Sequence, residues 1–289
     1  MSRAAAVGHM RWVVRMVCAS MVCASLLCAS SQASATPAAP TRIVSLAPSL
    51  TEIVYAIGCG PKLVADTSYD DYPAAARRLP HVADLIQVDL ERLAVLHPSV
   101  VIALHDQERE GAPLQSRLGV RVEYLPNRSL PDLFQDIRAV GDACRESKRA
   151  AALGRSLRAR LVRVTARAQA FSTHPRVLVL LDLPGFTVGK NSFLDDLVRL
   201  AGGSNVAAGI DQPYPNVSGE WLLKMQPEVI IVSKATPFGR DIQAAEPWRS
   251  LRAVQNNRVY RPQSDDIIQR NGPRIADGLQ WLVGVIHGR

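Results

Sequence analysis

The stretches "VDLERLAVLHPSVVI" (88–102) and "VSGEWLLKMQPEVII" (217–231) share the pattern V-x-x-E-x-L-x-x-(L/M)-x-P-x-V-(V/I)-I at an offset of 129 residues. Both predict a short helix followed by a buried strand. Asp89 and Ser218 stand at the aligned N-cap position, where a short oxygen-bearing side chain satisfies a free backbone N–H. Glu91 and Glu220 then fall in the first helical turn, where the helix dipole favours an acid. One unit met twice, so far apart, marks two corresponding halves rather than a tandem array.

Working outward from the first copy, apolar runs at 42–46, 63–67, 100–104 and 121–125 predict strands. Helical patterns at 90–96, 112–118 and 131–140 lie between them. "PSLTEIVYAIGCG" (48–60) predicts a further helix, with Ser49 and Glu52 as a capping box and Gly58 as the stop. Around the second copy, 176–183, 229–233 and 258–262 predict strands. "GKNSFLDDLVRLAGG" (189–203) predicts a helix capped by Asn191 or Ser192. "PRIADGLQWLVGVIHG" (273–288) places Ile275, Leu279, Leu282 and Ile286 on one helical face. Between the halves, the proline-free stretch from 142 to about 171 repeats Leu153, Leu157, Leu161 and Val164, and predicts one helix of roughly 28 residues and about 40 Å. The expected fold class is α/β: two lobes, each with a mainly parallel sheet flanked by helices, joined by one long helix. The expected boundaries are 41–141, 142–172 and 173–289.

Residues 1–35 predict a cleavable signal peptide. Arg3, Arg11 and Arg15 precede an apolar run from Met16 to about Cys28, and Ala33-Ser34-Ala35 forms a cleavage site. Cys18, Cys23 and Cys28 follow Val17, Val22 and Leu27, a poor fit to a lipoprotein. The expectation is a freely soluble exported protein. The chain's net charge is +8; without the three leader arginines it is about +5. Cys59 and Cys144 are the cysteines outside the leader. Both a disulfide and two buried thiols satisfy their positions near predicted helix ends.

Chemistry is sparse. There is no G-x-S-x-G, Walker loop, H-E-x-x-H or C-x-x-C. His81, His97, His105 and His174 have no metal-ligand spacing. The arginines of the long helix lack the aromatic interleaving of a nucleic-acid site, so they read as a solvated face. No enzyme activity, cofactor or nucleic-acid partner is expected. In an open α/β fold a ligand meets the loops after the strands. These are Ser45–Ser49, Thr67–Tyr72, His105–Glu108, Leu183–Lys190 and Ser233–Gly239. An exported enzyme using Asp70, Asp71, Asp265 or His105 is the rival class.

"RIVSLAPSLTEIVYAIG" (42–58), "TSYDDYP" (67–73), "DLERLAVLHPSVVIA" (89–103), "GFTVGKNSFLDDLVRLAGGSNVA" (185–207), "YPNVSGEWLLKMQPEVIIVS" (214–233) and "SDDIIQRNGPRI" (264–275) occur in an order that resembles the periplasmic solute-binding proteins of ABC importers. The closest resemblance is to the subclass with a single long helix between lobes, which takes up cobalamin, haem and ferric siderophores. The resemblance implies a periplasmic monomer that binds cobalamin or a related corrinoid between its lobes, with haem or a ferric siderophore as the alternative ligand. It implies that Glu91 and Glu220, one per lobe, dock onto arginines of a permease dimer. It places Tyr69, Phe186 and Tyr214 on cleft positions that are aromatic in the family. Leu85, Leu104 or His105, and Ile267 stand near positions that carry tryptophan there, and with His105 taken at the second of these, Asp265 completes the expected ligand-binding set.

Overall fold

In the computed structural model, which describes residues 41–84 and 87–288, short apolar runs build two sheets. The expected leader and Leu85 lie outside the described residues. The first sheet holds β1 (Ile43–Ser45), β2 (Leu63–Thr67), β3 (His81–Ala83), β4 (Val100–Leu104) and β5 (Arg121–Leu125), in the order β3-β2-β1-β4-β5, all parallel. The second holds β6 (Arg176–Asp182), β7 (Phe186–Thr187), β8 (Ser204–Asn205), β9 (Val229–Val232) and β10 (Val259–Tyr260). Its order is β10-β9-β6-β7, with β8 also on β6; only β6–β7 is antiparallel.

The helices are α1 (Pro48–Ala56), α2 (Leu90–Val95), α3 (Glu108–Leu118), α4 (Leu130–Ala143), α5 (Ser147–Gln169), α6 (Phe193–Leu200), α7 (Gly219–Met225), α8 (Arg240–Ala244), α9 (Arg252–Gln255), α10 (Asp266–Gln269) and α11 (Ile275–His287). They cover both faces of the sheets, which explains the unbroken apolar strands. Alternate residues of β4 show it: Val100 and Ile102 enter one core, Val101 and Ala103 another.

The first of these cores is shared by the two halves. It runs from Ile43, Leu50 and Leu133 through Leu157 and Leu161 of α5 to Val177, Leu197 and Leu279. Helix α5 therefore does more than span the gap. Its apolar stripe packs on α4 and α11, so one hydrophobic core reaches both sheets. That stripe was legible in the spacing of Leu153 to Val164.

Two local expectations give way. The long helix does not begin at residue 142. It breaks at Cys144–Glu146, where Arg145 adopts φ +58, leaving an α5 of 23 residues, about 35 Å. The break is held in place. Cys144 is disulfide-bonded to Cys59, with Cα atoms 6.2 Å apart, and Lys62 Nζ donates to the Cys144 carbonyl and pairs with Glu146. Ser49 and Glu52 are not a capping box either. Helix α1 starts on Pro48 after an uncapped Ala47, because proline at the first position needs no N–H partner. Ser49 and Glu52 instead lie buried inside the helix.

The duplicated unit keeps its geometry. Asp89 accepts from the Arg92 N–H and Ser218 from the Trp221 N–H, so each caps its helix. Leu93 and Leu222 anchor α2 and α7 on the outer cores. His97 and Gln226 take φ +43 and +45 before the prolines that lead into β4 and β9.

Candidate functional site

A cavity of about 750 Å³ opens between the two halves. Sheet-one loops supply Ala47–Ser49, Leu104, Asp106 and Pro126–Arg128; the other half supplies Asn191–Phe193, Pro213, Tyr214 and Gln269–Asn271. It adjoins a second chamber of about 430 Å³ lined by Leu46, Thr67, Tyr69, Ala83, Asp84, Gln87 and Val88. Both chambers share Ala47, Pro48, Leu104, Asp106 and Arg270. Pro48 follows β1 and Leu104 ends β4, adjacent strands whose chains leave in opposite directions around the sheet. Such a switch point leaves a crevice at the strands' carboxyl ends. A separate groove of about 560 Å³ lies along α4 and α5. It is open, and no strand-end loop reaches it.

One glutamine shapes the floor. The Gln107 side chain accepts from the Leu104 N–H at 2.9 Å and donates to the Leu46 carbonyl at 2.8 Å. It thus ties the turn after β4 to the end of β1 and places Asp106 in both chambers. Opposite, the strap 210–215 closes on residues 187–190 through backbone bonds from Thr187, Gly189 and Lys190. A Cβ on Gly189 would collide with the Gln212 carbonyl, so glycine allows this approach. The strap sets Tyr214 beside Phe186, ring centroids 6.3 Å apart. Burial, and after it the charge of Asp106, raise the Tyr214 phenol above its ordinary pKa.

An ionic network joins the halves at the cleft wall. Glu52 of α1, 3% exposed, accepts from Arg270 Nη1 at 3.1 Å and from Arg274 Nε at 2.8 Å and Nη2 at 2.5 Å. Arg270 also meets Asp71 at 2.7 Å, the Tyr69 carbonyl at 3.1 Å and Asp266 at 3.1 Å. Arg274 stacks on Tyr72, 4.0 Å from the ring centre. Burial alone would lower the Arg270 pKa; hydrogen bonds and charge from Asp71, Asp266 and Glu52 carry it above the ordinary value. Next to it, Asn271 Nδ2 donates to the Ser129 carbonyl, and Asn127 Nδ2 donates to the Asn271 carbonyl and to Asp136. Burial pushes the Asp136 carboxyl up to about 6, against the Asn127 hydrogen bond and helped by Asp132.

The anticipated residues scatter in role. Tyr69 and Tyr214 line the chambers, both near half-exposed. Phe186 stands behind Tyr214 and outside the lining. His105 is exposed and outside both chambers, while its neighbour Asp106 lines them. Ile267 packs against the shared core. Asp265 accepts from Ser233 Oγ and the Lys234 N–H, so it closes the end of β9. That closure, with Arg261 on the Ser233 and Thr236 carbonyls, ties down Ser233–Gly239, and neither this loop nor Leu183–Lys190 gives a lining residue. The rival catalytic acids are likewise engaged elsewhere: Asp70 holds Thr67, and Asp71 holds Arg270. Glu91 and Glu220 sit exposed on α2 and α7, and among the described residues neither makes an ion pair. The reading of the sequence gave no cleft role to Glu52, Arg270, Asn271 or Asn127, and it named the loop of Asp106 without singling out that residue; "QRNGPR" (269–274), polar residues flanking a turn, was the available signal.

Two mainly parallel sheets, a helical spine and a cleft between strand-end loops define a two-lobed α/β binding protein. The chain belongs to the Periplasmic binding protein family, matching it over residues 43–265. It is 32% identical over 256 residues to a vitamin B12-binding protein of Vibrio cholerae serotype O1, covering 86% of this chain and 90% of that one. Among solved structures it resembles the periplasmic vitamin B12-binding protein of Vibrio cholerae, 30% identical, TM-score 0.73, covering 85% and 96% of the two chains. It also resembles a periplasmic heme-binding protein of Pseudomonas aeruginosa, 27% identical, TM-score 0.75, covering 86% and 93%. These relatives are named as binding proteins, in accord with a non-enzymatic role. Among the described residues no helix is long and apolar enough to cross a membrane.

Proposed function

We propose that this chain captures cobalamin or a related corrinoid outside the cytoplasm and delivers it to an ABC importer. The observation that carries the reading is the two-chambered cleft, walled by Tyr69 from one half and Tyr214 from the other. It offers an aromatic surface on each side of a flat macrocycle, with Asn127, Arg128, Asn191 and Gln269 as polar partners for its periphery. The vitamin B12-binding relatives support it. Export by residues 1–35 and a monomeric state belong to the same proposal.

Delivery works through Glu91 and Glu220. Each is an exposed acid on a capped outer helix, one per half, so the pair addresses the two halves of a twofold permease. Such charges steer and orient a complex more than they tighten it. The haem alternative is favoured by one feature, the exposed Tyr69 phenol in the smaller chamber; phenolate is a haem-iron ligand.

Calorimetric titration with cyanocobalamin tests the reading. One saturable site is expected, weakened about tenfold by Tyr214→Ala, as loss of one aromatic face costs on the order of 1 kcal/mol. No saturable binding up to about 100 μM, weaker than roughly −5.5 kcal/mol, rejects the corrinoid.

A further inference from the structure

The chain is basic, with a net charge of +8, yet its cleft is acidic. Arg270 faces both chambers, but its guanidinium is already committed to Glu52, Asp71 and Asp266. With Arg274 this makes three carboxylates against two guanidiniums. The other charged lining residues are the acids Asp84 and Asp106 and the exposed base Arg128. A ligand entering the cleft therefore meets an excess of negative charge at its centre.

Asp106 is the member of this set placed to act on a ligand. It lines both chambers, its turn is fixed by Gln107, and it faces Tyr214 closely enough to act on that phenol. Among the described residues no hydrogen bond or ion pair holds its side chain. An ionised carboxylate is an acceptor only, and its hydrogen bonds to N–H donors are charge-assisted. A second carboxylate at the same edge would find no donor and would meet like charge, which discriminates strongly.

We propose that Asp106 is the specificity-determining residue of the cleft: it accepts hydrogen bonds from carboxamide or ammonium groups of a neutral or cationic chelate and repels chelates with free carboxylates. The inference deepens the ligand reading above and rests on the cleft being the binding site. Cobalamin, rimmed by carboxamides, meets the requirement; haem, with two propionates, does not.

The test compares matched ligands by calorimetry: cyanocobalamin and its monocarboxylic acids, in which one peripheral amide is hydrolysed. The native protein should bind cyanocobalamin at least about tenfold more tightly than the acid at the contacted edge. Asp106→Asn, at an exposed position without internal partners, should bring the two within about twofold. A selectivity that survives Asp106→Asn, or one that is absent from the native protein, overturns the assignment. If cyanocobalamin does not bind at all, the corrinoid reading fails, and hemin against hemin dimethyl ester then decides the charge claim. Preference for the ester, lost in Asp106→Asn, upholds it; equal binding of the two by the native protein overturns it.

Discussion

Glu52 lies 218 residues from Arg270 and 222 from Arg274, and only the fold brings them together. Removing one partner of a buried ionic group strands the others. Glu52→Gln should therefore cost about 3–5 kcal/mol in urea unfolding. A loss below about 1 kcal/mol would show that solvent screens the network. Asp136 carries a pH signature with a definite sign. Its folded pKa, about 6, stands above the ordinary 3.8, so the folded state prefers the protonated acid. Its contribution is complete below about pH 4 and is lost as pH rises through about 6. Asp136→Asn should thus gain up to about 2–3 kcal/mol at pH 8 and nothing near pH 4. A pH-independent change would refute the shift. These residues also mark where the sequence ran silent. The spacing of Ser49 and Glu52 satisfies a capping box and equally the inside of a helix that starts on proline. Pro48 at the first helical position favours the second, and the distant Arg270 and Arg274 give the buried Glu52 its partners.

At the scale of elements, Asp89→Ala and Ser218→Ala should each cost about 1 kcal/mol in thermal unfolding, because each removes one side-chain cap. A strongly unequal pair would break the equivalence of α2 and α7. The Cys59–Cys144 disulfide closes a separation of 85 residues, worth roughly 4–5 kcal/mol by chain entropy. Cys59→Ser with Cys144→Ser should lower stability by about 2–4 kcal/mol, read against the native chain with and without reductant. Elements with a continuous apolar run, such as β4 and β9, were legible because burial on both faces demands it. β3, β7 and β8, of two or three residues each, were not anticipated, whereas the equally short β1 and β10 lie within the predicted runs at 42–46 and 258–262. The break before α5 was hidden for another reason: Arg145 in the left-handed region is a backbone choice that no propensity announces. The cleft was half legible. Loops after β1, β2 and β4 were expected to line it and do; those after β6 and β9 were expected to and do not, the second because Asp265 and Arg261 tie it down.

At the scale of the molecule, the shared core through α5 ties both halves to one hydrophobic unit. On the proposed reading, capture calls for small adjustment at the cleft, and delivery depends on surfaces outside it. Reversing Glu91 and Glu220 to lysine together should leave ligand affinity within about twofold and abolish uptake by cells carrying the cognate permease. Uptake at the native rate would reject the docking pair. The central claim is that the acidic, aromatic-walled cleft takes a corrinoid. Competitive equilibrium dialysis of the purified protein against equimolar cyanocobalamin and hemin puts the two ligands to it directly. The account predicts that cyanocobalamin is retained at one per chain and hemin is not; retention of hemin with cyanocobalamin left in the dialysate would contradict it.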